Sequence, residues 1–502
     1  MQIRLNKKLF QCKSSILILL IGTNLLVKGI YLGAGSIAGD EPFSIYYSQM
    51  DIHSIIHQLM TGNNPPLYEI LLHYWIAIFG IGPVSVRFPS LVFSTLTTWV
   101  VFEIGLRNFS TRAGILASLL FIFSTFHVSI AHEARVYSLF VLLSSISMLI
   151  FFEIYRSGDQ PRKILALTFC LTITNAILFY AHYFSLFIIL VQVTSLLIPK
   201  ENRKLIIKRI LLSLFLTLIL ILPQLFIMIF RFRQTIHGQN WLQPPGGIIN
   251  ILDVYRCFMN EEYGRTLMGK PLLTLLSLLV IAYFIIHSII KKIRIAREMK
   301  IIFLWFFIPY ILMFFISFYI PMYKDRYLSF TSIGLYLLIA AAFTSFEWTV
   351  LRKFLVIVFL GIYMVSFTPN PDNKRHSREA INKVMELASP GTIVLVCPAS
   401  FVYNFAYYAD PALFRDVKEL KDPYHLFTKL REKGVYVIND IRNADIKGEE
   451  RIIYLDAAAS FSAPQNGIVE FLEKDYHIGR TYHSEEIFNI SEWSRREILI
   501  HR

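Results

Sequence analysis

Runs of apolar residues, each about 20 residues long, recur along most of this chain and constrain its fold more than any other feature. The first run follows a basic segment at positions 4–13 and shows no small-residue cleavage site. With 55% hydrophobic and only 17% charged residues over 502 positions, a water-soluble core could not absorb this apolar surface. The sequence therefore predicts an α-helical polytopic membrane protein.

About eleven transmembrane helices are expected. They lie at 14–34, 84–106, 112–130, 135–155, 163–181, 183–199, 206–230, 271–290, 300–320, 327–346 and 351–368. Each span moves the next loop to the other side, and one set of loops is short and basic, as cytoplasmic loops are. This bias explains much of the net charge of +14 without a nucleic-acid partner. We expect a multi-pass protein of the cell (plasma) membrane with a cytoplasmic N-terminus and the lipid bilayer as its surroundings.

The chain changes character after the linker-like segment 368–379. Short β-rich runs at 391–397, 434–440 and 451–457 alternate with helical patterns at 379–388, 423–433 and 464–474. This alternation predicts a small α/β domain with a mainly parallel sheet and an added edge strand at 492–502. We therefore expect a transmembrane catalytic domain at 1–369, with a first extracytoplasmic loop at 35–83 that carries interfacial helices, and an extracytoplasmic α/β domain at 370–502.

The loops that fall on the outer face hold most of the acidic, aromatic, histidine and proline residues. Polar side chains at one membrane face on several non-adjacent helices usually line a shared cavity. The candidates are Asp40, Glu41, Tyr68, Arg87, His132, Glu133, Arg135, Tyr137, His182, Tyr183, Lys324 and Arg326. Carboxylates and cations thus face one compartment together.

Six short motifs occur in order on this predicted face. They are "GDEPFS" (39–44), "NPPLY" (64–68), "SVRFPS" (85–90), "HEARVYSL" (132–139), "AHYFS" (181–185) and "DRYL" (325–328). As an ordered set the chain resembles the GT-C glycosyltransferases of the protein O-mannosyltransferase and lipid A aminoarabinose transferase type (glycosyltransferase family 39-like), over residues 14–346. The resemblance implies a membrane enzyme that moves a sugar from a polyprenyl-phosphate donor to a glycan, lipid or protein acceptor on the outer side.

The chemistry of such a transfer assigns roles to these residues. A lipid phosphate leaves readily as an anion, so the enzyme must supply a base, an in-line geometry and cations. Matching the family's acidic motif, Asp40 is the expected base of an inverting displacement, and Glu41 orients a loop or binds the acceptor. Arg326 and Lys324 are expected to bind the phosphate, with Arg87 and Arg135 as secondary candidates. The candidate substrate-binding residues are Glu133, His132, Tyr137, Tyr68, His182 and Tyr183.

Plainer interpretations remain beside these roles. Asp40 and Glu41 could form a solvated turn or a helix N-terminus, and Lys324 and Arg326 could be interfacial residues that snorkel toward water. His53 and His57 stand four apart, a spacing that can chelate a metal, but no third ligand is evident. We therefore expect that no cofactor is required, although a divalent cation is possible.

A transporter or flippase of lipid-linked saccharides is the competing class of protein. Such proteins tend to show internal repeats and charges near the membrane midplane. This sequence shows no repeat, and its candidate charges gather at one face. The transferase interpretation is therefore favoured, with sugar and acceptor left open.

Overall fold

The computed structural model describes residues 2–60, 64–157, 160–198, 203–236, 243–262, 271–293, 295–344, 349–371, 376–417, 424–446, 449–484 and 488–496. The helices preceding the C-terminal domain are α1 (Gln2–Gly29), α2 (Glu41–Ser48), α3 (Ile52–Leu59), α4 (Leu67–Phe79), α5 (Pro83–Asn108), α6 (Thr111–Ile122), α7 (Thr125–Ala131), α8 (Tyr137–Arg156), α9 (Pro161–Ala181), α10 (Ser185–Ser195), α11 (Arg203–Ile236), α12 (Ile251–Phe258), α13 (Leu272–Ile290), α14 (Arg297–Ile316), α15 (Thr331–Thr344) and α16 (Thr349–Val365). The later elements are α17 (Ser377–Leu387), β1 (Ile393–Cys397), α18 (Val402–Ala409), α19 (Pro411–Arg415), α20 (His425–Glu432), β2 (Val435–Val437), β3 (Arg451–Ala457), α21 (Ala459–Ser462), α22 (Ile468–Asp475), β4 (Tyr476–Ser484) and β5 (Phe488–Arg495).

Two compact units divide the chain. Unit 1 comprises Met1–Leu32, Leu59–Tyr68 and Arg87–Pro371, and unit 2 comprises Gly33–Gln58, Glu69–Val86 and Asp372–Arg502. The sequence-based division placed the whole first loop in the membrane domain. In the structure most of that loop packs in the same unit as the C-terminal domain.

The membrane-spanning helices lie in unit 1, apart from the first turn of α5. Among the described residues, six helices are long and apolar enough to cross a membrane, or seven if α6 and α7 form one bent span. The predicted multi-pass membrane fold is confirmed, and at least one helix overlaps each of the eleven predicted spans. The predicted number of spans is not confirmed, because α10 and α15 have only 11 and 14 residues.

The third predicted span is broken into α6 and α7, whose axes meet at 62°. Asn260 satisfies the backbone at this break. Its Nδ2 donates to the carbonyl of Phe123 at 2.8 Å, and its Oδ1 accepts from the backbone N–H of Thr125 at 2.8 Å. Because broken helices leave backbone groups without partners in lipid, these bonds stabilise the bend.

Small residues bring α5 and α6 into close contact. A Cβ atom built on Gly105 would lie 2.5 Å from the Cα atom of Gly114. Glycine at both positions therefore lets the two backbones touch, as in many membrane helix pairs.

The C-terminal part of unit 2 contains a five-stranded sheet in the order β2-β1-β3-β5-β4. Strand β1 pairs in parallel with β2 and β3, whereas β5 pairs antiparallel with both β3 and β4. The predicted α/β domain is confirmed, but the prediction of a mainly parallel sheet is wrong, because two of the four strand pairings are antiparallel. Of the edge strand predicted at 492–502, residues 497–502 lie outside the described residues, and the part that belongs to β5 lies between β3 and β4, so it is not at the edge. The edge strand β4, "YHIGRTYHS", lacks the apolar alternation that would reveal it.

The described part of the first loop forms three helices, α2, α3 and α4, with a break at residues 49–51 between α2 and α3. Helix α2 is buried almost throughout, because its tyrosines pack on α18 and α19. The Tyr47 and Tyr403 hydroxyls lie 2.9 Å apart, and the ring centroids of Tyr46 and Phe414 are 5.4 Å apart.

Candidate active site

His182 occupies an aromatic environment directly after the end of α9. Its ring stacks on Phe140 with centroids 4.7 Å apart. The rings of Tyr327 and Tyr137 lie 6.0 and 6.3 Å away. His182 is 4% exposed, so its imidazole is buried among these aromatic rings.

The protonation of His182 follows from its contacts. Its Nδ1 accepts a hydrogen bond from the backbone N–H of Phe184 at 3.2 Å, so the proton of the neutral ring is on Nε2. That Nε2 is buried and has no hydrogen-bond partner in the described part of the chain. Burial, and then the charges of Arg135 and Arg326, lower the pKa of His182 to about 3. At physiological pH the ring is neutral and presents an N–H donor.

Two arginines act on His182 from different segments. Arg326 lies between α14 and α15, with its guanidinium carbon 5.7 Å from the Tyr137 ring and 5.6 Å from the Tyr327 ring. Cations are attracted to aromatic faces at such distances. Arg135 lies in the turn between α7 and α8 and is 5% exposed. The structure thus brings together Arg135, Tyr137, His182 and Arg326, all of which the sequence had singled out.

The turn that carries Arg135 is tied to two other helices. Nε2 of His132 is 2.7 Å from the carbonyl oxygen of Lys28 in α1. The Ser90 hydroxyl in α5 donates to the carbonyl of Glu133 at 2.7 Å. These bonds fix the backbone on which Arg135 sits.

The remaining predicted residues of unit 1 differ in burial. Arg87 is 2% exposed and donates to the carbonyl of Leu32 at 3.2 Å. Tyr68 is buried, whereas Lys324 is exposed. Lys324 and Arg326 therefore differ in setting although they are two positions apart.

Tyr183 belongs to a group of hydrogen-bonded side chains, and the sequence analysis had identified only Tyr183 among them. Its hydroxyl accepts from Gln224 at 2.8 Å and from Arg231 at 3.3 Å. Arg231 also donates to the backbone carbonyls of Leu59 and Met60. Sequence reasoning missed Arg231, and its signal was a cation at the end of the apolar run of α11.

The two adjacent carboxylates of unit 2 differ in environment. Asp40 is the exposed N-cap residue of α2, yet its side chain makes no capping hydrogen bond. Glu41 is 1% exposed, and its Oε2 accepts from the backbone N–H of Ala38 at 3.2 Å. The Glu41 carboxylate therefore holds the loop, while the Asp40 carboxylate is presented at the surface of the unit.

The two histidines with metal-ligand spacing, His53 and His57, lie in α3. The rings of His53 and His57 are stacked, with centroids 6.5 Å apart. Among the described residues, no three or more His, Cys, Asp or Glu side chains form a group that could hold a metal ion.

Comparison with known proteins places this geometry in a known fold. Residues 63–227 match the family model of dolichyl-phosphate-mannose-protein mannosyltransferase. No curated protein matches the chain in sequence at a significant level. The archaeal oligosaccharyltransferase AglB from Archaeoglobus fulgidus, in complex with an inhibitory peptide and a dolichol-phosphate, superposes with a TM-score of 0.53 at 10% identity, covering 97% of this chain and 74% of that chain.

The fold is that of the GT-C glycosyltransferases. The Archaeoglobus fulgidus oligosaccharyltransferase in complex with Zn and sulfate agrees, with a TM-score of 0.54 at 12% identity and coverage of 95% of this chain and 72% of that chain. ArnT from Cupriavidus metallidurans in the apo state has a TM-score of 0.47 at 10% identity, covering 96% of this chain and 98% of that chain. The predicted resemblance to GT-C proteins and the predicted fold class are confirmed.

Proposed function

We propose that this chain is a membrane glycosyltransferase that moves a sugar from a polyprenyl-phosphate-linked donor to an acceptor on the outer face of the membrane. The observation that carries the proposal is that the charges of Arg135 and Arg326 both act on His182, whose buried Nε2 has no hydrogen-bond partner in the described part of the chain. Guanidinium groups remain charged and pair with phosphate oxygens through two hydrogen bonds. The imidazole adds a neutral donor, so the group suits a phosphate anion.

The proposed reaction is an inverting displacement. The acceptor hydroxyl or amine attacks the anomeric carbon, the bond from that carbon to the phosphate oxygen breaks, and the polyprenyl phosphate leaves as an anion. Asp40 takes the proton of the acceptor, and its exposed position at the start of α2 suits that role. Arg326 and Arg135 stabilise the charge of the leaving phosphate.

The donor class is supported by what related proteins bind. The matched family is named for dolichyl-phosphate-mannose, and the AglB structure contains a dolichol-phosphate and an inhibitory peptide. Dolichol-phosphate is a polyprenyl-type phosphate, so we assign the same chemical class to the donor of this chain. The acceptor is a glycan, a lipid or a protein. The residues proposed to contact sugar or acceptor are Tyr68, His132, Glu133, Tyr137 and Tyr183.

Two further side chains and a divalent cation are proposed as additional sources of positive charge for the phosphate. Arg87 and Lys324 are proposed as weaker contributors, because Arg87 donates to a backbone carbonyl and Lys324 is exposed. A divalent cation would act alongside the arginines, and a related oligosaccharyltransferase was solved with Zn and sulfate. The transfer requires no organic cofactor, since the phosphate is already an activated leaving group.

Purified protein in liposomes separates this proposal from a transporter or flippase. A radiolabelled polyprenyl-phosphate sugar is supplied together with extracts of envelope glycans, lipids and proteins as acceptors. Transfer predicts unlabelled polyprenyl phosphate and label on an acceptor, in equal amounts. Movement of label between leaflets with the sugar–phosphate bond intact would support the transporter instead.

A further inference from the structure

The segment that carries Asp40 is held by one helix of the C-terminal domain. Gly39, the residue before Asp40, has a φ of +60°, and its carbonyl accepts from Nδ2 of Asn404 at 3.0 Å. The Tyr408 hydroxyl lies 2.6 Å from the backbone nitrogen of Ile37 and 3.1 Å from its carbonyl oxygen. Both backbone groups of Ile37 are therefore bonded to one side chain.

Asn404 and Tyr408 are four apart in α18, so they share one face of that helix. Asn404 is 3% exposed and Ile37 is fully buried. Burial raises the pKa of the Tyr408 hydroxyl. The hydroxyl therefore stays protonated at neutral pH, and it accepts from the Ile37 N–H while it donates to the Ile37 carbonyl.

The segment is also fixed on its other sides. The Ser36 hydroxyl donates to Glu379 in α17 at 3.1 Å, and Glu41 holds the N–H of Ala38. Within this buried stretch the side chain of Asp40 is exposed. Rigid support around one exposed carboxylate is the arrangement that a positioned base requires, because small misplacements cost large factors in rate.

We infer that α18 of the C-terminal domain positions Asp40 for catalysis, with Asn404 and Tyr408 as the positioning residues. This inference rests on the proposed function, in which Asp40 is the base. It assigns the C-terminal domain a role in the reaction, apart from any role in acceptor binding.

The chain offers a matched control on the same helix. Tyr407 is the residue before Tyr408. Its hydroxyl donates to the carbonyl of Ile81 at 3.0 Å, and Ile81 is remote in sequence from Asp40. Tyr407→Phe and Tyr408→Phe thus remove the same atom from adjacent residues. Asn404→Leu removes the second contact with little change in volume.

The test measures transfer kinetics and backbone exchange in the full-length protein. Tyr408→Phe and Asn404→Leu are expected to lower kcat about 10- to 100-fold, with the donor KM changed less than about threefold. Hydrogen exchange of the peptide covering 38–43 should accelerate in both variants, and Tyr407→Phe should leave both measurements near wild type.

Two outcomes separate this inference from the proposed function. If Asp40→Asn abolishes transfer while Tyr408→Phe and Asn404→Leu retain wild-type kcat and exchange, the positioning role is overturned and the function stands. If Asp40→Asn transfers sugar at the wild-type rate, the proposed role of Asp40 as the base is overturned, and if the wild type transfers no sugar, the proposed function itself is overturned. Should Asn404→Leu not fold, Tyr408→Phe decides alone, since it removes a single oxygen.

Discussion

The guanidinium carbon of Arg326 lies 5.7 Å from the centre of the Tyr137 ring. The two residues come from segments far apart in the sequence, one before α15 and one at the start of α8. Their contact brings a cation beside His182, whose pKa Arg326 helps to lower. The position of this arginine explains why it should matter more than the lysine two residues before it.

Arg326→Gln is expected to reduce kcat/KM for transfer about 100-fold. Charge-assisted hydrogen bonds to a phosphate contribute about 1.5–3 kcal/mol, and the upper part of this range corresponds to a factor of about 100. Lys324→Gln, which removes an exposed charge from the same turn, should change kcat/KM less than about threefold. Equal losses in the two variants would contradict the assignment of Arg326.

The unusual pKa of His182 makes its contribution to stability dependent on pH. The folded value is about 3, whereas an unfolded histidine titrates near 6.5. Below pH 6.5 the unfolded chain binds the proton first, so acidification favours unfolding through this residue. The loss amounts to about 2 kcal/mol at pH 5.

His182→Gln tests this linkage, because glutamine keeps an N–H donor and cannot titrate. Between pH 7.5 and pH 5 the thermal midpoint of the wild type should fall further than that of the variant. Parallel decreases in the two proteins would show that His182 titrates near its ordinary pKa.

Gly105→Ala should destabilise unit 1. The new Cβ would lie 2.5 Å from backbone atoms of Gly114, so α5 and α6 must move apart. We expect a loss of about 2–4 kcal/mol, measured as a lower thermal midpoint in detergent. Gly22→Ala is the control, because no described atom outside its own stretch of helix lies within 4 Å of its built Cβ. A similar loss in the control would point to a general effect of alanine.

The predicted orientation can be tested by cysteine labelling in intact cells. Lys474 and Lys291 are exposed in the C-terminal domain and in the loop between α13 and α14. In a variant without native cysteines, a membrane-impermeant maleimide should label Lys474→Cys and leave Lys291→Cys unlabelled until the cells are opened. The reverse pattern would place the C-terminal domain in the cytoplasm.

Much of the fold was predictable because apolar length and β-rich runs are local signals. The predicted strand at 451–457 coincides with β3, and the predicted helix at 379–388 overlaps α17. The bend between α6 and α7 was not predictable, since it depends on Asn260, a residue remote in sequence. The order of β4 and β5 in the sheet was also not predictable, because a polar edge strand leaves little hydrophobic pattern in the sequence.

The candidate site likewise contains residues that the sequence predicts and residues that only the structure reveals. Arg135, His182 and Arg326 stand out as polar residues at the ends of apolar runs. The rings of Phe140 and Tyr327 that enclose His182 look like ordinary core or belt residues. Asn404 and Tyr408 carried no signal, because their importance arises only from a tertiary contact with Ile37 and Gly39.

Transfer by Asp40→Asn, compared with Asp51→Asn, tests the central claim most directly. Both aspartates lie in the first loop, but Asp51 accepts hydrogen bonds from Ser54. With a radiolabelled polyprenyl-phosphate sugar and a crude acceptor mixture, we predict that Asp40→Asn loses at least about 1000-fold in kcat. Asp51→Asn should stay within about threefold of the wild type. Undiminished release of polyprenyl phosphate by Asp40→Asn, with label still reaching the acceptor, would contradict the account.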